Sequence, residues 1–194
     1  MANSYLIVFL LFTLTLGGCN KEKQTLEPNL PPTASFTRSL NFPDIMLRRD
    51  TSYTTQAVST QTLRVSTFNF VPAIGFFLKA HRDSIAFIIP VSSVTSDWIG
   101  TYTFLSGQCV SCTTQALHIY KSDYLINQRR VFAQFGGMDG ALTIDKYNPT
   151  YKTVSGHFIY SYSSYTSLYS TPTSGPTRFD LSVRGTFNNI PTTP

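Results

Sequence analysis

The chain has 194 residues and a formal net charge of +5, from 15 Lys and Arg against 10 Asp and Glu. Its basic residues are scattered apart from the pairs Arg48-Arg49 and Arg129-Arg130. Nucleic-acid binding proteins concentrate Lys and Arg on one face, so this distribution argues against a nucleic-acid partner. The length suits one domain with a substantial core.

Residues 1–18 predict a secretory signal peptide. Leu6 to Leu16 is an uncharged apolar run that would extend only about 16 Å as a helix, which is too short for a bilayer core of about 30 Å. Its length is typical of the apolar region of a signal peptide, and Gly17 and Gly18 supply the small residues before a cleavage site. Met1 to Tyr5 departs from the usual pattern because it carries no Lys or Arg.

The segment Leu16-Gly17-Gly18-Cys19 resembles the bacterial lipobox. The resemblance implies that the Cys19 thiol is acylated, as with palmitate, and that cleavage leaves Cys19 as the N-terminus of a lipoprotein. Two or more acyl chains give stable membrane anchoring, at about 0.8 kcal/mol for each buried methylene. We therefore expect a lipid anchor in the outer membrane of the bacterial cell envelope, at its periplasmic face or at the cell surface. The alternatives are a plain secretory signal or an uncleaved N-terminal anchor.

Residues 19–33 predict a lipidated tether rather than folded structure. The segment is polar and then proline-rich, with Pro28, Pro31 and Pro32 and no apolar periodicity. Prolines favour extended backbone, so the tether would hold residues 34–194, the predicted domain, away from the membrane.

From Ala34 onward the sequence predicts an all-β domain. Thr, Ser, Tyr, Phe, Val and Ile are frequent, whereas the two Glu residues both precede Leu30. Apolar alternation begins with Phe36, Arg38, Leu40 and Phe42, and the polar segment 48–60 is interpreted as an excursion or an edge strand. Further strands are predicted at residues 62–70, 74–80, 84–90, 100–105, 115–121, 129–135, 141–147, 153–162 and 178–187.

Short turns connect these strands. The links include His81-Arg82-Asp83, the glycine-rich segment 136–140 and Asn148-Pro149. Short links join antiparallel neighbours, so we predict a single antiparallel β-meander of about nine strands. It would form a two-layer sandwich or a flattened barrel in order to bury its edges.

Three strand phrases in the second half resemble a family of small, uncharacterised Bacteroidota lipoproteins. They are Gly100-Thr101-Tyr102, the pair 140–144 and 153–158, and the closing segment 184–191 that contains Gly185-Thr186-Phe187. The family resemblance implies the same β architecture and envelope location and carries no activity. Gly156 and Gly185 within strands indicate bulges or close backbone approach, with Phe158 and Phe187 pointing inward.

Cys109 and Cys112 form the one motif with evident chemistry. In an oxidising compartment two thiols separated by two residues in a predicted loop most simply form a disulfide. A redox centre would need a helix N-terminus at Cys109, and zinc would need two more ligands, with His118 as the nearest candidate. The sequence predicts no metal and no cofactor.

Aromatic residues suggest a binding surface. Trp98, together with Tyr165 and Tyr169 in the polar loop 161–177, could stack on sugars or form an interface. Tyr160 and Tyr162 share a strand face with Phe158, so we expect these two to be buried.

Asp97 beside Trp98 is the most suggestive carboxylate, although an Asp that caps a turn is the simpler interpretation. No nucleophile motif occurs, and His157 lies inside a predicted strand. We therefore predict a non-enzymatic binding or interaction module for a glycan, a peptide or an envelope protein. The alternatives are a lipocalin-like carrier of a small apolar ligand and an aspartate-based glycoside hydrolase.

Overall fold

A computed structural model describes residues 29–43, 46–66, 70–105, 114–126, 129–135, 138–164 and 179–193. These residues form antiparallel β-strands. The strands are β1 (Thr33–Phe42), β2 (Leu47–Tyr53), β3 (Ser59–Ser66), β4 (Pro72–Lys79), β5 (Asp83–Pro90), β6 (Gly100–Phe104), β7 (Gln115–Ile126), β8 (Arg129–Phe135), β9 (Asp139–Asn148), β10 (Thr153–Ser164) and β11 (Phe179–Pro191).

Two sheets divide these strands. The six-stranded sheet has the order β2-β1-β11-β10-β9-β6, and the five-stranded sheet has the order β3-β4-β5-β7-β8. Among the described residues the sheets are not closed into a barrel, so the predicted two-layer sandwich is confirmed. The chain crosses between layers after β2, β5, β6 and β8, and the first strand pairs with the last.

The core lies between the two sheets. Alternate residues of each strand point inward, and aromatic rings from both layers meet there: Phe87 of β5 lies 5.0 Å from Phe158 and 6.2 Å from Tyr160 of β10, measured between ring centroids. Phe158 and Tyr160 are each 1% exposed, and Tyr162 is half-buried against the core. The expected burial of this strand face is confirmed.

Two glycines let neighbouring aromatic rings approach the backbone. A Cβ on Gly185 would stand 2.5 Å from the Phe158 ring and 2.5 Å from the Ser35 carbonyl, and one on Gly156 would collide with the Thr143 carbonyl. The register of β10 also shifts at Gly156 on both sides of the strand. The predicted bulge and close approach are therefore present.

Some strand boundaries differ from the prediction. The polar segment after Arg48 does contain an edge strand, β2, whose exposed face is polar and therefore gave little apolar signal. β3 begins at Ser59 and ends at Ser66, whereas the prediction carried it to Phe70. Phe70 has a φ of +61° and is 87% exposed, which is incompatible with a regular strand position.

Candidate functional site

Five polar side chains form a buried cluster between the sheets. Arg38, Tyr53 and Tyr160 come from the six-stranded sheet, whereas Asp83 and His118 come from the five-stranded sheet. Apart from Tyr53 at 9%, none of the five is more than 1% exposed. The cluster therefore joins the two layers through hydrogen bonds in the middle of an apolar core.

Asp83 is the acceptor at the centre of the buried cluster. Tyr53 donates its hydroxyl hydrogen to Oδ2 at 2.6 Å, His118 Nε2 lies 2.6 Å from Oδ1, and Arg38 Nε donates to Oδ2 at 3.1 Å. Burial alone would raise the pKa of Asp83, but the hydrogen bond from His118 and the charge of Arg38 outweigh it and lower the pKa. Asp83 is therefore a carboxylate paired with a guanidinium.

The buried position of His118 favours its neutral form. Burial lowers its pKa below the ordinary value and outweighs the opposing effect of Asp83. In the neutral form Nε2–H donates to Asp83, and Nδ1 accepts the hydroxyl hydrogen of Tyr160 at 3.0 Å. Burial also raises the pKa of Tyr160 and keeps this donor protonated. Every polar atom of His118 is thus satisfied without a second proton.

Arg38 reaches both layers. Its Nη2 donates to Thr51 Oγ1 at 2.9 Å, and its guanidinium carbon lies 4.4 Å from the centre of the Tyr120 ring. Its Nη1 has no hydrogen-bond partner among the described residues. The charge is therefore held by one carboxylate and one aromatic face, which makes the ion pair with Asp83 indispensable.

The buried cluster is structural rather than catalytic. An Asp-His-hydroxyl chain can activate a nucleophile, but here His118 and Asp83 are 0% exposed and Tyr160 is 1% exposed. No substrate can reach these atoms in the folded chain. Both ring nitrogens of His118 already have partners inside the core, so this histidine is not available as a zinc ligand for Cys109 and Cys112, which lie outside the described residues.

Sequence reasoning missed the buried cluster, although part of its signal is visible. Arg38 occupies an inward position of the alternation that includes Phe36 and Leu40, and His118 stands between Ala116 and Tyr120 in the same manner. A polar residue in such a position needs a buried partner. Asp83 was assigned to a turn, since it follows His81-Arg82 at the start of β5.

The outer face of the six-stranded sheet is mainly polar. Cross-strand hydroxyl pairs connect Ser35 with Thr186 at 3.2 Å and Thr101 with Thr143 at 3.2 Å. We call this surface the hydroxyl face. It is formed by Ser35, Thr37, Ser39, Thr101, Thr103, Thr143, Ser161, Ser182 and Thr186, which lie at outward positions of paired strands.

Arg184 and Ile159 stand together at the middle of the hydroxyl face. Two adjacent hollows of about 480 and 370 Å³ share Thr37, Ile159 and Arg184 in their lining. Ile159 is 59% exposed, and among the described residues the Arg184 guanidinium has no hydrogen-bond or ion-pair partner. His157 lies beside them, with Nδ1 2.8 Å from Asp145 Oδ2. Within the described part of the chain, the centre therefore offers a cation without a partner, an exposed apolar side chain and an oriented imidazole.

Trp98 is less open than the sequence suggested. Its ring is half-buried against the core and meets Phe76 edge-on at 5.9 Å, and its carbonyl accepts the hydroxyl hydrogen of Tyr102 at 2.8 Å. Asp97 accepts a hydrogen bond from Thr95 at 2.8 Å within the same loop. This local contact supports the turn interpretation of Asp97.

The remaining predicted site residues lie outside the described residues. They are Cys19, Cys109, Cys112, Tyr165 and Tyr169. The lipidation of Cys19, the disulfide and the contribution of the two tyrosines to the predicted aromatic binding surface therefore stay predictions.

Among the described residues no helix is long and apolar enough to cross a membrane. No group of three or more His, Cys, Asp or Glu side chains there could hold a metal ion. Comparison with protein-family models, curated proteins and solved structures finds no match to this chain.

Proposed function

We propose that this chain is a lipid-anchored, non-enzymatic binding module of the bacterial envelope that binds an acidic glycan on its hydroxyl face. The anchor rests on the lipobox at residues 16–19, and the family resemblance supports the same location. The observation that carries the binding role is Arg184, which has no hydrogen-bond or ion-pair partner among the described residues and lies beside exposed Ile159 at the junction of two hollows.

The chemistry of the hydroxyl face favours a sugar chain. Outward hydroxyls on adjacent strands recur about every 4.8 Å across a sheet, and each can both donate and accept. Sugar hydroxyls have the same capacity, and Ile159 can contact the apolar face of a sugar ring. Because Arg184 matches a carboxylate or sulfate in two-point geometry, we assign the ligand an acidic group.

Other features support a binding role over the two alternative classes. A lipocalin-like carrier needs a closed barrel around an apolar cavity, whereas here aromatic side chains fill the space between two separate sheets. A glycoside hydrolase needs two free carboxyl groups across a cleft. Asp83 is buried in the cluster, Asp97 bonds within its loop, and Asp145 pairs with His157.

Affinity electrophoresis in gels that contain polygalacturonate tests the ligand. We expect the wild-type chain to be retarded by polygalacturonate and not by neutral dextran. The Arg184→Ala variant should bind about ten- to a hundredfold more weakly, the equivalent of a charge-assisted hydrogen bond of about 1.5 to 3 kcal/mol. Arg64→Ala, which removes an exposed charge on β3 of the other sheet, is the matched control and should bind normally.

Three results would argue against the proposal. Equal loss in Arg64→Ala and Arg184→Ala would mean that net charge alone retards the protein. A wild-type chain that is retarded neither by polygalacturonate nor by dextran would contradict the glycan assignment. Release of reducing ends from polygalacturonate by the wild-type chain would make the protein an enzyme.

Metabolic labelling with palmitate tests the anchor separately. We expect label in the wild-type protein and none in Cys19→Ala, which should leave the envelope fraction. A Cys112→Ser variant controls for acylation of another thiol and should keep the label. An unlabelled wild-type chain, with Cys19→Ala still in the envelope, would contradict lipid anchoring.

A further inference from the structure

The outer face of the five-stranded sheet is apolar, in contrast to the hydroxyl face on the other side of the sandwich. In an antiparallel sandwich the outward positions of each sheet are usually polar. Here ten of the fifteen outward positions of β3, β4, β5 and residues 115–119 of β7 are apolar, and six of the ten carry large hydrophobic side chains. We call this surface the apolar face; it is formed by Leu63, Val65, Phe77, Ala86, Ile88, Leu117 and Ile119.

Neighbouring side chains of the apolar face lie next to one another in the pairing register. Ala86 lies between Phe77 and Leu117 in the pairing register and is only 6% exposed, although it is outside the core cluster. The Phe77 ring covers Gly75, with a ring atom 2.5 Å from the position of a Gly75 Cβ. Phe77 thus fills the space above Gly75 and stands beside Ala86 on this face.

We infer that the apolar face is the contact surface between two copies of this chain, packed sheet against sheet. Four strands about 4.8 Å apart and about 27 Å long offer roughly 500 Å² per copy, or about 1,000 Å² in total. That area is at the lower limit for a specific interface, and homodimer interfaces are the most apolar class. The inference uses the opposite side of the molecule from the proposed glycan site.

Charge also favours a second copy over a lipid surface. Lys79 is the single charged side chain at the described outward positions of β3, β4, β5 and residues 115–119. A face with one cation gains little from anionic lipids, since each basic residue near a membrane contributes only about 1 kcal/mol. Two copies related by a two-fold axis meet without a block of like charge.

Light scattering coupled to gel filtration tests the dimer, because it separates protein mass from bound detergent. The full chain as processed in cells should have twice the mass of one copy at about 50 μM. Ile88→Lys should halve that mass, and Leu63→Lys at the 37% exposed edge position should do so without disturbing the interior of the sheet. Ile159→Lys, the same change on the hydroxyl face, should remain dimeric.

The glycan gel separates failure of this inference from failure of the proposed function. Ile88→Lys and Leu63→Lys should bind polygalacturonate as monomers, whereas Arg184→Ala should bind poorly as a dimer. A wild-type chain of single-copy mass overturns the dimer, whether or not it binds the glycan. A dimer mass in both Ile88→Lys and Leu63→Lys also overturns the inference that the apolar face is the dimer contact.

Discussion

Asp83 accepts hydrogen bonds from donors on both sheets while it has no contact with solvent. Removing one charge of a buried ion pair leaves the other uncompensated, which costs about 3 to 5 kcal/mol. We therefore expect Asp83→Asn to lower the free energy of unfolding by about that amount, because Arg38 is 1% exposed and cannot reach water. Urea unfolding followed by tyrosine fluorescence measures the change.

Asp50 provides the matched control for Asp83→Asn. It pairs with Arg48 at 3.0 Å and accepts from Ser39 at 2.6 Å, yet both charged side chains are about half exposed or more. Exposed pairs contribute little because water solvates each charge. Asp50→Asn should leave the urea midpoint nearly unchanged, and equal losses in the two variants would contradict the role assigned to burial.

The residues of the buried cluster could be predicted only in part. Alternation places Arg38 and His118 on inward faces, and this much can be read from the sequence. Their shared partner could not be predicted, because Asp83 meets Arg38 only after two separate sheets stack on each other. The position of Arg184 could not be predicted either, since its exposure at the centre of a sheet depends on the neighbours that β1 and β10 supply.

β11 depends on the absence of a side chain at Gly185. In its register Gly185 faces Phe36 of β1 and Phe158 of β10, and their side chains occupy the space that a Cβ would need. Overpacking of this kind costs about 1 to 3 kcal/mol. Gly185→Ala should therefore lower the free energy of unfolding by about that amount in urea titrations.

Thr186→Ala is the control one residue further along β11. Thr186 is exposed and shares a hydrogen bond with Ser35 on the hydroxyl face, so its truncation leaves the core packing unchanged. We expect a shift within about 0.5 kcal/mol, as for other surface positions. A larger loss in Thr186→Ala than in Gly185→Ala would contradict the close-approach explanation.

At the level of strands, local sequence patterns predicted more than long-range pairing. The links His81-Arg82-Asp83 and Asn148-Pro149 correctly join β4 to β5 and β9 to β10. The pairing of β1 with β11 joins the two ends of the domain, and no turn signal encodes such a pairing. The division of the strands between two sheets is therefore a property of the whole chain.

The two outer faces give the sandwich two different surfaces. The hydroxyl face carries Arg184 and Ile159, and the apolar face lies on the opposite sheet. A dimer through the apolar face would present its two hydroxyl faces on opposite sides, so that one dimer could bind two separate glycan chains. Thirteen residues lie between Cys19 and Thr33, so the proposed lipid anchor on Cys19 would lie at most about 46 Å from the start of β1.

The stability of the whole molecule in acid depends on the protonation of His118. Its pKa is lowered by burial, whereas the unfolded chain takes up a proton near the ordinary value of 6.5. Below that pH the unfolded state binds more protons than the folded state, so the free energy of unfolding should fall as pH drops from 7 to 5.5. The slope approaches about 1.4 kcal/mol per pH unit for one proton. Below pH 4 the lowered pKa of Asp83 adds a second decrease in the free energy of unfolding.

Urea titrations at several pH values measure how the free energy of unfolding changes with pH. His118→Gln should reduce the slope between pH 7 and 5.5 by the contribution of one proton. A wild-type chain with the same slope as His118→Gln would mean that His118 already carries its proton in the core.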